Sequence, residues 1–441
     1  MKAGNAAIFT LGCRLNQADG ALLADRLRHK AWNIVDPAGS EDKQLIIING
    51  CSVTGSAAQK SRQAARKFRR QYPDALIIVT GCSAESDYDS LSADEAVDLV
   101  LTNPEKRDLS EMIEQALSKH PKLTTKFSIN ENPELLFQER SEGLFNFRSR
   151  PFVKIQEGCN NFCTYCIVPY TRGPERSRSF EEIIHECKAH IANGSSEIVL
   201  TGVNVCAYND HGRGLEDLLG VLVALPGNFR LRLSSTEPVM SNLALLDVMA
   251  TSGGRICEFL HISLQHGADS VLGRMKRRYT SEEFRQFVEH ARKLMPGIHI
   301  GTDVIVGFPG ESDEEFKTSC DFIESIGFAN IHIFTYSPRE GTAAAVMPNQ
   351  VKKHLAAERY AKLSEIAAAG KLKYRQGFVK SEFDVIFERV DSNDVAHGWS
   401  GNYLACAVPE WSKSGAALNR LVRVQALAVG DKDETLFCRL L

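Results

Sequence analysis

Short apolar runs alternate with amphipathic stretches over the first hundred residues: AAIFTL, then ADGALLADRLRHK, LIIING, a basic stretch, ALIIVTG and AVDLVLTN. Apolar runs of this length, bounded by glycine and separated by helix-period segments, predict the βα rhythm of a small parallel sheet over residues 1–120. The rhythm lapses over 121–150, which predicts a linker. A second series then begins: FVKIQEGC, EIVLTGVN, FRLRLSS, FLHISLQHG, HIGTDVIVGFPG and NIHIFTYSP, separated by helical stretches such as SFEEIIHECKAHIAN. Six strand-then-helix repeats predict a partial (β/α)6 barrel over 151–376, ending in a lysine-rich helical connector. Residues 377–441 switch to strand alternation in FDVIFERV, YLACAV and RLVRVQALAV, the pattern of a small β-barrel. The expected class is therefore α/β and multidomain.

The length of 441 residues agrees with that division, since it corresponds to roughly two to four domains. No apolar run approaches the length needed to span a bilayer, and the N-terminus lacks the long apolar stretch and cleavage site of a signal peptide. A cytoplasmic protein without membrane partners is expected. Twelve cysteines in such a chain are implausible as a disulfide framework, so metal or redox chemistry is the better account. A formal net charge of -3 excludes a protein that coats nucleic acid over its whole surface. Any RNA contact must come from a local basic patch.

The clearest chemistry lies in CNNFCTYC, where Cys159, Cys163 and Cys166 sit on one short loop after an apolar strand. Three thiolates so placed can hold three irons of a [4Fe-4S] cluster and leave the fourth open. An open iron in a CxxxCxxC loop suits S-adenosylmethionine, which binds through its amino and carboxylate groups and is cleaved reductively to a 5'-deoxyadenosyl radical. A structural zinc site is the competing interpretation, but such sites are usually closed by four ligands. Tyr165 fills the aromatic position expected to pack near the adenine, or it belongs to the core.

Three further cysteines each follow an apolar run and a glycine: Cys13 in LGCRLN, Cys51 in NGCSVT and Cys82 in TGCSAE. Loops after the strand carboxyl ends of an open α/β sheet share one edge, so these residues converge if the parallel sheet forms. Coincidental buried cysteines are the alternative.

With both triads in view, the chain resembles the methylthiotransferases, and among them the branch that modifies threonylcarbamoyladenosine in tRNA. The resemblance rests on GCNNFCTYCIVPYTRGPERSR at 158–178, the TGVN core of LTGVN, SSTEP at 234–238, LQHGADSVLGRMKRRYT at 264–280, DVIVGFPGES at 303–312 and YSPREGTAA at 336–344. It covers nearly the whole length and implies a radical S-adenosylmethionine core with a C-terminal TRAM domain. It also implies that Cys13, Cys51 and Cys82 hold a second [4Fe-4S] cluster, which carries the sulfur to be inserted. One S-adenosylmethionine would give a methyl group and another the radical. Implied partners are the tRNA anticodon stem-loop, an electron donor such as flavodoxin or ferredoxin, and a sulfur source. The branch is suggested by CSVTGSAAQKSRQ at 51–63. Isopentenyladenosine tRNA and an aspartate of a ribosomal protein are alternative substrates, and a metal-stabilised RNA-binding protein without turnover is the alternative from another class.

Other candidates are individually weaker. Lys60, Arg62, Arg66, Lys67, Arg69 and Arg70 place six cations in 11 residues beside Cys51, suited to RNA phosphates or simply to a solvated helix face. A second patch comprises Arg274, Lys276, Arg277 and Arg278. Thr201, Asn204, Glu237, Gln265 and Asp303 are expected at or near strand ends on the catalytic face of the barrel, where polar groups serve a ligand. Ser263 and His266 depart from the family pattern, and residues 378–441 carry seven Lys or Arg against nine Asp or Glu, an acidic balance for an RNA-gripping module.

Overall fold

The computed structural model describes residues 4–52, 55–119, 149–237, 243–430 and 435–441. The expected linker at 121–150 lies outside the described residues except for Ser149 and Arg150.

The N-terminal region forms a five-stranded, wholly parallel sheet in the order β2-β1-β3-β4-β5. Its strands are β1 (Asn5–Thr10), β2 (Asn33–Val35), β3 (Leu45–Gly50), β4 (Leu76–Gly81) and β5 (Leu99–Leu101). Apolar residues fill both faces because both are covered. Ile46, Ile48, Ile77 and Val79 pack with Ala64, Ala65 and Phe68 of helix α2 (Gly55–Gln71) on one side. On the other, Leu45, Ile47 and Ile78 pack with Leu23 and Leu27 of helix α1 (Arg14–His29). Continuous apolar runs such as LIIING are what a two-sided parallel strand requires.

The central region continues as six parallel strand positions: 152–154, 197–201, 230–236, 259–262, 299–306 and 330–335. The third position is interrupted at Ser234, where the chain passes from a three-stranded to a four-stranded sheet. No ladder joins the first to the last strand among the described residues, so the barrel is open. Helix α1 packs against strand 152–154, and the 24-residue helix Lys353–Gln376 packs on strand 330–335. Leu260, Ile262, Ile300 and Val304 point outward to Phe284, Phe287 and Val288 of a covering helix. By strand alternation His261 and Asp303 point the other way, into the lumen.

Residues 382–440 make a closed five-stranded barrel, antiparallel except where Ala405–Val408 runs parallel to Leu436–Leu440. Arg230 donates to the carbonyls of Asp384 (3.1 Å) and Trp399 (2.9 Å), and Arg232 to that of Ser400 (3.0 Å), seating this barrel at the strand amino ends of the core. In the GWSGNY turn, Tyr403 stacks on Trp399 with ring centroids 4.6 Å apart and reaches Phe259 of the core at 4.9 Å. Among the described residues no helix is long and apolar enough to cross a membrane.

Candidate active site

Sheet register brings the N-terminal cysteines to one edge. Strands β1, β3 and β4 are adjacent, with Thr10 paired to Asn49 and Gly50 to Gly81, so Cys13, Cys51 and Cys82 all leave at the same carboxyl end. Asn16 fastens that edge, its Nδ2 donating to the carbonyls of Leu11 and Gly50, each at 2.9 Å. Gly12 has a φ of +95°, and a Cβ there would stand 2.7 Å from the Cys51 Sγ, so only glycine admits this approach. Cys51 and Cys82 are buried, while Cys13 is solvent-accessible although burial pushes its thiol pKa up.

The core cysteines occupy the loop after strands 152–154 and 156–157. Burial pushes the Cys159 thiol up to about 11 and the Cys166 thiol up to about 12, so a metal must displace their protons to bind. Arg277 Nη1 donates to Cys163 Sγ at 3.2 Å, and its Nη2 to Glu237 at 3.0 Å. Glu237 also accepts from Asn161 and from Asn204, each at 3.0 Å. Arg277 therefore belongs to the cysteine loop, not to a surface patch. Of its neighbours, Arg274 pairs with Glu315 at 2.7 Å and Lys276 and Arg278 are exposed.

The other expected site residues are distributed around this centre. Tyr165 packs partly against Val271, Met275 and Phe308. Thr201 is fully enclosed at the end of its strand. Gln265 adopts a left-handed backbone with φ of +68°, its amide donating to Asp303 O and its carbonyl accepting from Ile305 N. A non-glycine residue so placed marks a bend that its surroundings enforce. Asp303 lies between His261 (3.1 Å) and His332 (3.2 Å); burial alone would raise its carboxyl, but hydrogen bonds from both rings hold it well below the usual carboxylate range. His266 is enclosed. Its Nδ1 accepts from Ala268 N and its Nε2 faces Glu311 at 3.1 Å, an anchor that Arg359 completes. Ser263 Oγ stands 3.4 Å from Asp303.

A buried ionic cluster docks the two regions. Asp19 of α1 pairs with Lys106 (3.1 Å), Lys154 (2.7 Å) and Arg172 (3.0 Å). Arg172 also pairs with Glu157 at 2.6 Å, and its Nε donates to Cys82 Sγ at 3.1 Å. Arg172 stands six residues after Cys166, so one side chain ties the loop of the core triad to a cysteine of the other. Arg339, in YSPREGT, donates to Ser52 O at 2.6 Å beside Cys51. Asn161, Arg172 and Asp19 carry no sequence signal of their own, although the first two fall inside matching motifs, and Arg277 reads in the sequence only as part of a basic patch. Their role depends on contacts between distant segments.

On the basic helix α2, Arg62 pairs with Asp87 at 2.6 Å, Arg66 with Asp94 at 3.0 Å, and Arg69 with Asp98. Lys60, Lys67 and Arg70 are exposed on one stripe of the helix, seven and three residues apart.

Residues 153–323 match the Radical SAM superfamily, and residues 5–102 match a family described as Uncharacterized protein family UPF0004. A threonylcarbamoyladenosine tRNA methylthiotransferase MtaB of Bacillus subtilis is 32% identical over 96% of this chain and 94% of its own length. The chain belongs to the radical SAM methylthiotransferase family. Another MtaB, from Thermotoga maritima, is 35% identical over 90% of this chain and 89% of its own. A tRNA-2-methylthio-N(6)-dimethylallyladenosine synthase of Moorella thermoacetica is 33% identical over 95% of this chain and 94% of its own. Among solved structures, the radical S-adenosylmethionine methyltransferase TsrM of Kitasatospora setae matches with a TM-score of 0.58 at 15% identity, covering 78% of this chain and 77% of that one. That likeness concerns the fold alone.

Membership of the Radical SAM family implies a [4Fe-4S] cluster and S-adenosylmethionine. The donor set fits: three thiols on one loop, with a guanidinium against one sulfur to offset the negative charge of a thiolate cluster. Neither cysteine triad is a compact chelate, because the only His/Cys/Asp/Glu group gathered within 4.8 Å among the described residues is His261, Asp303 and His332. Each thiolate of an iron-sulfur cluster ligates a different iron, so wider spacing is what such a site needs.

Proposed function

We propose that this methylthiotransferase inserts a methylthio group at C2 of N6-threonylcarbamoyladenosine in the tRNA anticodon loop, with Cys13, Cys51 and Cys82 holding a second [4Fe-4S] cluster. The observation that carries the reading is the convergence of these three cysteines at one sheet edge, joined through Arg172 to the loop of the core triad. The C2 hydrogen of an adenine is not acidic, so no side-chain base can remove it. A [4Fe-4S] cluster held by Cys159, Cys163 and Cys166 would supply, by reductive cleavage of bound S-adenosylmethionine, the radical that can.

The chain's own residues position and enclose. Glu237, gripped by Asn161, Asn204 and Arg277, is a preorganised acceptor beside the cysteine loop for the ammonium of the methionyl group. Tyr165 offers an apolar wall for the adenine. Arg172 holds the sulfur-bearing edge against the core, and Lys60, Lys67 and Arg70 offer cations to the RNA backbone. Electrons and replacement sulfur come from outside the chain, from a flavodoxin or ferredoxin and a sulfide source.

Dimethylallyladenosine tRNA is the second reading, favoured by the Moorella relative at 33% identity. The test is mass spectrometry of nucleosides from both tRNAs after incubation with anaerobically reconstituted protein, S-adenosylmethionine, sulfide and reductant. A methylthio shift on threonylcarbamoyladenosine alone is expected. A shift confined to the dimethylallyl nucleoside overturns the assignment.

A further inference from the structure

A cavity of about 350 Å³ lies where the N-terminal region, the core and the C-terminal barrel meet, and its lining includes Arg14, Arg150, Arg232, Arg389, Glu388 and Tyr403. Four arginines thus face one glutamate across it. Most of the charge at its floor is accounted for: Arg150 pairs with Glu388 at 2.9 Å, and Arg150, Arg230 and Arg232 share the fully buried Glu197. Three guanidinium features remain, of which Arg389 is exposed at the rim. Arg232 is 1% exposed, yet its Nη1 is buried with no hydrogen-bond partner. Arg14 pairs with no carboxylate among the described residues, and its guanidinium instead lies 5.7 Å from the Phe259 ring and 6.0 Å from the Tyr403 ring.

A buried donor without a partner is costly, and guanidinium forks match the planar oxygens of carboxylate and phosphate. A cavity with surplus positive charge in a chain of net charge -3 is therefore built for an anion. Its place restricts which anion. Arg14 opens α1 directly after Cys13 and its guanidinium reaches Phe259 and Tyr403, so the cavity lies one side chain's reach from the edge that presents the N-terminal cysteines. We propose that this three-domain cavity is an oxyanion pocket for the RNA substrate, with Arg14, held against Phe259 and Tyr403, as its principal charge and the buried Arg232 adding to the positive field behind it. The oxyanion is the carboxylate of the threonylcarbamoyl substituent or a backbone phosphate. The carboxylate source rests on the function proposed above, whereas the pocket itself does not.

The experiment measures binding of anticodon stem-loop RNA, with and without the threonylcarbamoyl group, to the full-length reconstituted protein and to Arg14→Gln and Arg14→Lys. Removing Arg14 strands no carboxylate but gives up its contacts with Phe259 and Tyr403, so the melting temperature of each variant is measured beside its affinity, and a loss of RNA binding by variants that remain folded at the assay temperature is assigned to the pocket. Arg14→Gln should weaken binding by about tenfold, the usual range for a lost charged hydrogen bond, and Arg14→Lys should recover most of it. A loss confined to the threonylcarbamoyl RNA identifies the carboxylate, and an equal loss on both RNAs identifies a phosphate. Unchanged affinity of Arg14→Gln for both RNAs overturns the proposal. Were product formation to fall on another nucleoside, this binding readout would still decide the pocket.

Discussion

Cys159, Cys163 and Cys166 occupy one eight-residue loop, whereas Cys13, Cys51 and Cys82 span 70 residues and meet only because three parallel strands pair in register. The first site is written into local spacing. The second exists only once the sheet has formed and α1 has docked on the core. A local site tolerates loosening of the domain interface, while an assembled one depends on Asn16, Gly12 and the buried charges around Asp19. The two triads should therefore separate under mutation.

The largest effect is expected at the local site. Cys163→Ala removes a proposed ligand of the core cluster and the partner of Arg277, so both 5'-deoxyadenosine and methylthiolated nucleoside should vanish, as read by chromatography of the reaction. Retained 5'-deoxyadenosine would place the open iron elsewhere.

Next comes the interface on which the assembled site depends. Asp19→Ala leaves Lys106, Lys154 and Arg172 buried without their shared carboxylate, and loss of a buried charge partner typically costs about 3–5 kcal/mol. The denaturation midpoint should fall accordingly, with the N-terminal cysteines becoming reactive to a thiol reagent before the core cysteines do.

The same cluster has a pH signature. Burial opposes ionisation of Glu157, but Lys154, Arg176 and Arg172 bring its carboxyl down from 4.5 to about 2, and Asp19 is lowered likewise by Lys106, Lys154 and Arg172. Folded-state values below the unfolded ones give stability that is fully present above about pH 4.5 and is lost as pH falls toward 2. A thermal midpoint that declines over that window in the parent and declines less steeply in Glu157→Gln, where Asp19 still titrates, is the expected result.

The smallest effect concerns the surface. Replacing Lys60, Lys67 and Arg70 with Gln should reduce the slope of log affinity for RNA against log salt by about two units, at about 0.7 per phosphate for single strands. The same change at Arg62 and Arg69, which hold Asp87 and Asp98, should reduce stability more than it changes the salt slope.

Much of this architecture is legible in the sequence because it rests on local signals. Apolar runs ending in Gly-Cys mark β3 and β4, and period-2 runs after 377 mark the closed barrel. The core loop is legible for the same reason. What is not legible is any role fixed by a distant partner. Arg277 lies in a run of cations but turns inward to Cys163, Arg62 and Arg69 lie in another but tether carboxylates, and Arg172 crosses to Cys82. Charge sign along a chain does not reveal which cation is buried. The Tyr403 turn is a similar case: nothing in GWSGNY itself announces that Tyr403 packs against Phe259 of the core.

The central claim is that the two triads do separate jobs, and the Cys13→Ala, Cys51→Ala, Cys82→Ala triple variant tests it most directly. Anaerobically reconstituted, it should hold iron for one cluster in place of two, about four atoms fewer per chain. It should still form 5'-deoxyadenosine from S-adenosylmethionine and give no methylthiolated nucleoside. Methylthiolated product from that variant, or an unchanged iron content, would contradict the account.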